Sequence, residues 1–180
     1  MKQRNSKHIC QRSPALRLYI GFFSLLVSSS CMALATDKNQ PIEILANYTE
    51  MNDATGVAVF SGNVIINQGS MVIEAEHIEA LFNDDGMLSF KATNQGEEAL
   101  VHMQQALHDT TVPLKAWGRN IHYDLANNKL TIDGLAKLTQ HKGVFEGGRI
   151  MYQIDSQFLQ AQSSEEPKRR VDIWLAPLAD

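Results

Sequence analysis

Residues 60–69 read Phe60-Ser61-Gly62-Asn63-Val64-Ile65-Ile66-Asn67-Gln68-Gly69, and residues 71–76 read Met71-Val72-Ile73-Glu74-Ala75-Glu76. Met71, Ile73 and Ala75 share one parity, and Glu74 and Glu76 share the other. Alternation with period two sends one set of side chains into a core and the other into water, which is the pattern of a half-buried strand. Gly62-Asn63 and Gln68-Gly69 supply residues that tolerate positive φ, so each pair marks a turn between strands. Outward from this stretch the pattern continues. Ile42-Glu43-Ile44 alternates upstream, and Leu130-Thr131-Ile132-Asp133 and Ala136-Lys137-Leu138-Thr139 alternate downstream. Turn-forming clusters recur at 52–56, 83–86, 94–96, 127–128 and Gly147-Gly148. Short strands at this spacing predict an all-β sandwich, barrel or roll. Pro41, Pro113, Pro167 and Pro177 all fall outside the candidate central strands, as a sheet requires. Met103 to Asp109 carries a competing helix reading, although the stretch is short and polar.

The deciding stretch has an echo. At an offset of 72 residues Gly62 meets Gly134, Gln68 meets Gln140, Val72 meets Val144, Glu74 meets Glu146 and Ile78 meets Ile150. Phe60, Val64 and Ile66 align with Ile132, Ala136 and Leu138, which preserves apolar parity. Two similar units stacked along one axis predict an extended core built by repetition.

The N-terminus is of another kind. Residues 1–35 hold Lys2, Arg4, Lys7, Arg12 and Arg17 and no acid, then an apolar run from Leu18 to Val27, then Ser28-Ser29-Ser30 and Ala33-Leu34-Ala35. A basic segment, a short apolar run and an A-x-A site predict a secretory signal peptide cleaved near Ala35. The run is short of the roughly 20 apolar residues that span a bilayer. An uncleaved anchor and lipidation at Cys31 are the alternatives, and Ser28 argues against the second. The whole chain has 180 residues, 16 basic and 20 acidic, for a net charge of -4. Removing five basic residues leaves 11 against 20, a net -9 for residues 36–180, and removes Cys10 and Cys31, both cysteines of the chain. Residues 36–180 are thus expected to form a single thiol-free domain stabilised by burial rather than by disulfides.

Composition and motifs exclude several functions. The near-neutral charge balance of the whole chain argues against a dedicated nucleic-acid binder, which would normally be basic. No nucleotide-binding glycine loop, nucleophile elbow or H-E-x-x-H motif is present. Glu74, Glu76 and Glu79 lie near His77, but in a strand the first two share a face while His77 points the other way, so no metal site is expected. Asp84-Asp85 lies in a turn. A glycosidase remains open, because its two carboxylates need not be adjacent in sequence. No catalytic residue and no cofactor are assigned.

The residues quoted above resemble the OstA-like (organic-solvent-tolerance-like, LptA-type) domain family of lipopolysaccharide-transport proteins. The likeness rests on Gln40-Pro41-Ile42-Glu43-Ile44, on the G-N-V and Q-G motifs in residues 60–69, and on Ile73-Glu74-Ala75-Glu76. The second copy adds His122-Tyr123-Asp124-Leu125, Leu130 to Gly134, and Gly147-Gly148-Arg149-Ile150-Met151-Tyr152. The closing Arg170-Val171 and Pro177 also fit. The resemblance implies a twisted, semi-open β-jellyroll of short antiparallel strands and a non-enzymatic periplasmic carrier. It further implies head-to-tail oligomers that bridge an LptC-type inner-membrane protein and an LptD-type outer-membrane protein. A periplasmic β-roll enzyme, a sugar-binding module and a membrane-anchored LptC-like component are the competing readings.

On this reading the acyl chains of lipid A lie along an apolar groove. Its expected lining is Ile42, Ile44, Phe60, Val64, Ile66, Met71, Ile73, Val101, Tyr123, Leu125, Ile132, Leu138 and Phe145. The same residues also read as ordinary core, and in an open roll the two roles coincide. Ile42 and Ile44 near the start, and Ile173 and Leu175 near the end, are the expected edge strands for joining partners by strand addition. Lys168-Arg169-Arg170, the only basic cluster after the signal, is expected to be a solvated turn more than a phosphate site.

Overall fold

A computed structural model describes residues 37–96, 99–107, 112–140, 143–164, 168 and 170–175. The predicted signal peptide, Cys10, Cys31, Arg169, Pro167 and Pro177 lie outside the described residues. After a short 3₁₀ turn (Asp37–Asn39) come twelve strands: β1 (Ile42–Leu45), β2 (Tyr48–Asn52), β3 (Val57–Gln68), β4 (Met71–Asn83), β5 (Gly86–Thr93), β6 (Val101–Gln105), β7 (Leu114–Gly118), β8 (Asn120–Asp124), β9 (Lys129–Gln140), β10 (Gly143–Gln153), β11 (Phe158–Gln162) and β12 (Asp172–Leu175). The all-β expectation therefore holds. The helix reading of 103–109 does not hold where it can be compared: Val101–Gln105 is a strand between β4 and β7, where sheet pairing overrides a weak local preference, and His108 and Asp109 lie outside the described residues.

The sheet is built twice. β3 and β9 are long strands at an offset of 72, and each pairs with two short strands in succession. β2 covers the first half of β3 and β1 the second; β8 covers the first half of β9 and β7 the second. Likewise β4 carries β6 and β5, and β10 carries β12 and β11. The first repeat is thus β1–β6 and the second β7–β12. They join where β6 pairs with β7 and β5 with β8. The repetition seen in about half of each sequence copy extends to six strands.

The Gly62-Asn63 and Gly147-Gly148 pairs are not turns between strands, as their composition suggested. Gly62-Asn63 sits inside β3 at φ +82° and +47°, and Gly134-Leu135 sits inside β9 at +72° and +55°. At both places the pairing register slips by one residue, between Ser61 and Val64 against β4 and opposite Gly147–Arg149 in β10. These are β-bulges, in which an extra residue bends the strand. The bend is secured from outside, since the Asn47 amide donates to the Gly62 carbonyl (3.0 Å) and the Arg119 amide to the Gly134 carbonyl (2.8 Å). The bulge reaches the same bend as a turn without breaking the strand, which composition alone does not distinguish.

A single sheet with one apolar face must cover that face. No helix covers it among the described residues, so the sheet covers itself. Each long strand bends at its bulge, and the half carrying β1, β6, β7 and β12 closes over the half carrying β2, β5, β8 and β11. Their inner faces meet in one core, in which Phe60, Ile66, Ile73, Ile78, Phe90, Met103, Ile132, Leu138 and Ile150 are nearly inaccessible. The result is an antiparallel β-jellyroll folded along a line of bulges.

Candidate functional site: an apolar inner face between two rims

The inner face follows from strand parity. β3 and β9 alternate buried and half-buried residues along their length, and β4 and β10 answer them across the ladder. The structure brings the expected lining residues together. Phe60, Val64, Ile66, Met71, Ile73, Val101, Tyr123, Leu125, Ile132, Leu138 and Phe145 are all buried in the one core, and Ile42 and Ile44 are half-buried against it. Reading one parity per strand missed much of the same face, including Ile78, Met87, Met103, Leu114, Ile121, Leu130 and Tyr152. The 72-residue offset was the signal that would have found several of them, because Ile78 and Ile150, or Ile42 and Leu114, occupy equivalent places.

Opposite the bulges, the two halves meet at a pair of rims. Here the inner face carries its polar groups. The Tyr123 hydroxyl, on β8 of one half, donates to the Gln105 side-chain oxygen on β6 of the other at 3.3 Å. The Gln105 amide donates to the Asp37 carboxylate at 3.0 Å. Asp37 also accepts from the Ser70 amide and hydroxyl, both at 2.7 Å, and the Ser70 hydroxyl accepts from the Ala106 amide. Burial pushes the Tyr123 phenol well above its ordinary value, so it stays a neutral donor. Beyond Asp37, Asn39 lines a pocket of about 240 Å³ with Asn83, Met87, Leu88 and Leu125, residues of the opposite rim. Residues 37–39 therefore strap one rim to the other. Sequence reading did not pick out Asp37, because a lone acid after a signal peptide carries no pattern.

The outward residues do structural work. His102 stacks on Trp117 with ring centroids 5.1 Å apart and contacts Glu74 at 3.3 Å. His77 bonds Ser61 at 2.9 Å, and the Glu76 carboxylate accepts from the Gln95 amide at 3.0 Å. Glu79 is exposed on β4. Among the described residues no group of His, Cys, Asp or Glu converges on a metal position. Asp85 lies in the β4–β5 turn, its amide donating to the Asn83 side chain. Asp124 accepts from the Asn127 side chain (2.7 Å) and backbone amide (3.0 Å), which holds its carboxyl below the usual range. Lys168 and Arg170 are exposed, beside a crevice of about 660 Å³ shared with Glu146 and Asp172.

The end strands complete the geometry. Among the described residues β1 and β2 pair only with β3, and β11 and β12 only with β10. Each end thus presents one uncovered strand per half. Ile42 and Ile44 lie on one end, and Ile173 and Leu175 on the other.

This architecture defines a class: an all-β, twice-repeated roll with an apolar interior and open sheet edges at both ends. Residues 43–158 match the family described as LptA/(LptD N-terminal domain) LPS transport protein. The chain is 30% identical over 167 residues to the lipopolysaccharide export system protein LptH of Pseudomonas aeruginosa, covering 90% of this chain and 94% of that one. It is 33% identical over 153 residues to LptA of Haemophilus influenzae, covering 85% and 87%. A crystal structure of P. aeruginosa LptH, described as the LptA homologous periplasmic component of a lipopolysaccharide transport device, superposes with a TM-score of 0.68 at 26% identity, over 78% of this chain and 99% of that one. The chain belongs to the LptA/LptD N-terminal family of lipopolysaccharide-transport proteins, a non-enzymatic family.

Proposed function

We propose that this chain is an exported carrier that holds the acyl chains of lipopolysaccharide between the two halves of its roll and passes them from inner to outer membrane in a head-to-tail bridge. The supporting observation is the inner apolar face, which runs without interruption through both repeats from the β1 end to the β12 end. Covering acyl chains is worth about 0.8 kcal/mol per CH₂, so one chain of about 12 carbons supplies on the order of 10 kcal/mol. That is enough to part packed rims and replace side-chain contacts with lipid contacts. Entry is at the strapped rims, since the bulged side is continuous backbone. The acidic exterior favours recognition of the acyl chains over the phosphates. The predicted signal peptide, cleaved near Ala35, delivers the domain to the periplasm, with Asp37 at once engaged by Ser70 and Gln105. LptC-type and LptD-type proteins are the expected neighbours at the two ends, and the matched family's description itself includes the LptD N-terminal domain.

Photo-crosslinking tests this reading. A photoreactive phenylalanine analogue at Phe60, Tyr123 or Phe145, which are inward, is expected to label lipopolysaccharide strongly. The same group at Glu76, Glu79 or Lys129, which point outward, is expected to label weakly. Equal labelling from both sets would falsify the interior carrier.

A further inference from the structure

The interior is apolar in its depth and polar at its two borders. Gln68, Gln105 and Gln140 are the last residues of β3, β6 and β9. Each follows a buried residue (Ile66, Met103, Leu138) by two positions, so all three share the inward parity. The register sets them on one row along one rim: Gln68 faces Met71, Gln105 faces Leu114, and Gln140 faces Gly143. On the other half Tyr123 and Tyr152 are the next-to-last residues of β8 and β10, and both face Leu130. Their hydroxyls therefore border the opposite rim, two strand spacings or about 10 Å apart. Among the described residues no other buried side chain than Gln68, Tyr123 and Tyr152 carries nitrogen or oxygen.

An acyl chain that lies inside, joined to a sugar that stays outside, has to pass its linkage between these two rows. We propose that the rims read that linkage. With the rims parted, the Tyr123 hydroxyl donates to the linkage carbonyl and the Gln105 side-chain oxygen accepts from an amide N–H. Amide-linked chains are then preferred to ester-linked ones, and both to plain alkyl chains. The inference rests on the interior-carrier reading and adds the chemical class of chain that it selects.

The closed roll already holds the matching donor and acceptor. Tyr123 donates to Gln105 at 3.3 Å, and Gln105 donates to Asp37 at 3.0 Å. The carboxylate only accepts, so the Gln105 amide group turns to Asp37 and its oxygen turns to the seam. Asp37 is itself fixed from the same half. It takes two bonds from Ser70, and it lies against Gly69, where a Cβ would collide with its carboxylate. Of these bonds only Tyr123–Gln105 crosses between the halves, so that bond opens when the rims part and the Asp37–Gln105 bond persists.

Opening leaves a donor and an acceptor facing each other across lipid. Polar groups taken from water without partners are penalised, so a chain that supplies no partner is disfavoured. A trans amide offers its carbonyl on one side and its N–H on the other, and it replaces the lost bond with two. An ester offers the carbonyl alone, and an alkyl ether offers neither partner in kind. Burial keeps the Tyr123 phenol a neutral donor. Tyr152, at the same depth, supplies a second donor for a neighbouring chain.

Matched amphiphiles test the selection. N-dodecanoyl glucosamine, the dodecanoyl ester of glucose, and dodecyl glucoside are titrated calorimetrically, below their micelle concentrations, into the chain purified from the periplasm. The unaltered chain is expected to bind the amide about tenfold more tightly than the glucoside, with the ester between them. In Tyr123→Phe the ratio of amide to glucoside affinity should fall to about threefold or less, and in Gln105→Leu the preference for amide over ester should vanish. Each ratio is taken within one variant, so a loss of folded fraction cancels, and a merely structural effect would shift all affinities together. Equal affinities in the unaltered chain, no measurable binding of the amide, or ratios unmoved in both variants overturn the selection. Lipopolysaccharide labelling from Phe60 and Phe145 separates the two ideas. If it persists while the ratios are flat, only the selection falls; if it fails, the interior carrier falls and the selection with it.

Discussion

The two repeats share one plan and differ in what surrounds them. β2 and β8 hold equivalent positions, yet every residue of β2 is exposed while Ile121 and Tyr123 of β8 are buried. The cause is a neighbour. β5 pairs with β8, whereas nothing among the described residues pairs with the outer side of β2. β6 and β12 differ in the same way. Val101 and Met103 are inaccessible between β4 and β7, while Ile173 and Leu175 are half or more exposed on the outer strand. A residue's burial here reports its place in the stack more than its place in its own repeat.

The sharpest way to break that contrast is to shorten equivalent side chains. Leu114 is fully buried on β7, and Ile42, its counterpart 72 residues earlier, is half-buried on the uncovered β1. Leu114→Ala is expected to cost about 2–5 kcal/mol of unfolding free energy, the range for a large-to-small change in a core that relaxes only in part. Ile42→Ala should cost about 1 kcal/mol or less of the isolated chain's stability, because little of its transfer energy is realised there. Chemical denaturation of both variants at low protein concentration checks the pair. Equal losses would mean that the β1 end is already covered in the isolated chain.

The bulges sharpen the comparison at the next scale. Gly62 and Gly134 both have positive φ, where an added Cβ costs about 1–2 kcal/mol for the backbone alone. A Cβ on Gly62 would also stand 2.7–2.9 Å from the Asn47 side chain, while one on Gly134 would stand 3.1 Å from that of Arg119. Gly62→Ala should therefore destabilise more than Gly134→Ala, although sequence gives the two glycines the same role. Thermal melts of the two variants make the comparison.

The strap ties Ser70 and Gln105 of the first repeat to Tyr123 of the second, and it yields a smaller effect with a pH signature. Removing the charged acceptor in Asp37→Ala is expected to cost about 1–3 kcal/mol through lost hydrogen bonds. Tyr123→Phe should cost less in neutral solution, but it changes the alkaline limb. The folded-state pKa of Tyr123 is raised, so above the unfolded phenol's ordinary value near 10 the folded state binds more protons than the unfolded one. Stability contributed by the neutral phenol is thus complete below about pH 10 and declines as pH rises beyond it. Denaturation between pH 9 and 11 should show a shallower alkaline decline for Tyr123→Phe than for the unaltered chain.

Much of this was legible because period two is a strong signal. Alternation in β1, β3, β4 and β9 gave the class and part of the inner face. The Gly-Asn and Gly-Gly pairs were legible as bends but not as bulges, since a turn and a bulge draw on the same positive-φ residues. β6 was obscured because Val101-His102-Met103-Gln104-Gln105 is short, and its strand state depends on β4 and β7 far away in sequence. The strap was invisible for a related reason: Asp37, Ser70, Gln105 and Tyr123 are distant in sequence and meet only when the sheet has folded over itself.

The weakest contrast concerns charge. Where the first repeat passes from β5 to β6 the sequence reads Gln95-Gly96-Glu97-Glu98, and where the second passes from β11 to β12 it reads Lys168-Arg169-Arg170. If phosphate recognition dominated binding, reversing the second would matter greatly. Lys168 and Arg170 are exposed, Glu146 and Asp172 share their crevice, and salt screens exposed charges beyond about 8 Å at physiological ionic strength. Exposed ion pairs contribute at most about 1 kcal/mol, against roughly 10 kcal/mol for covering a single 12-carbon acyl chain. Lys168→Glu with Arg170→Glu is therefore expected to weaken lipopolysaccharide binding less than about fivefold in a titration at physiological salt, since each 1.4 kcal/mol is a factor of ten. A loss of a hundredfold or more would move the main recognition from the interior of the roll to this surface, and the two connectors would then differ in function as well as in sign.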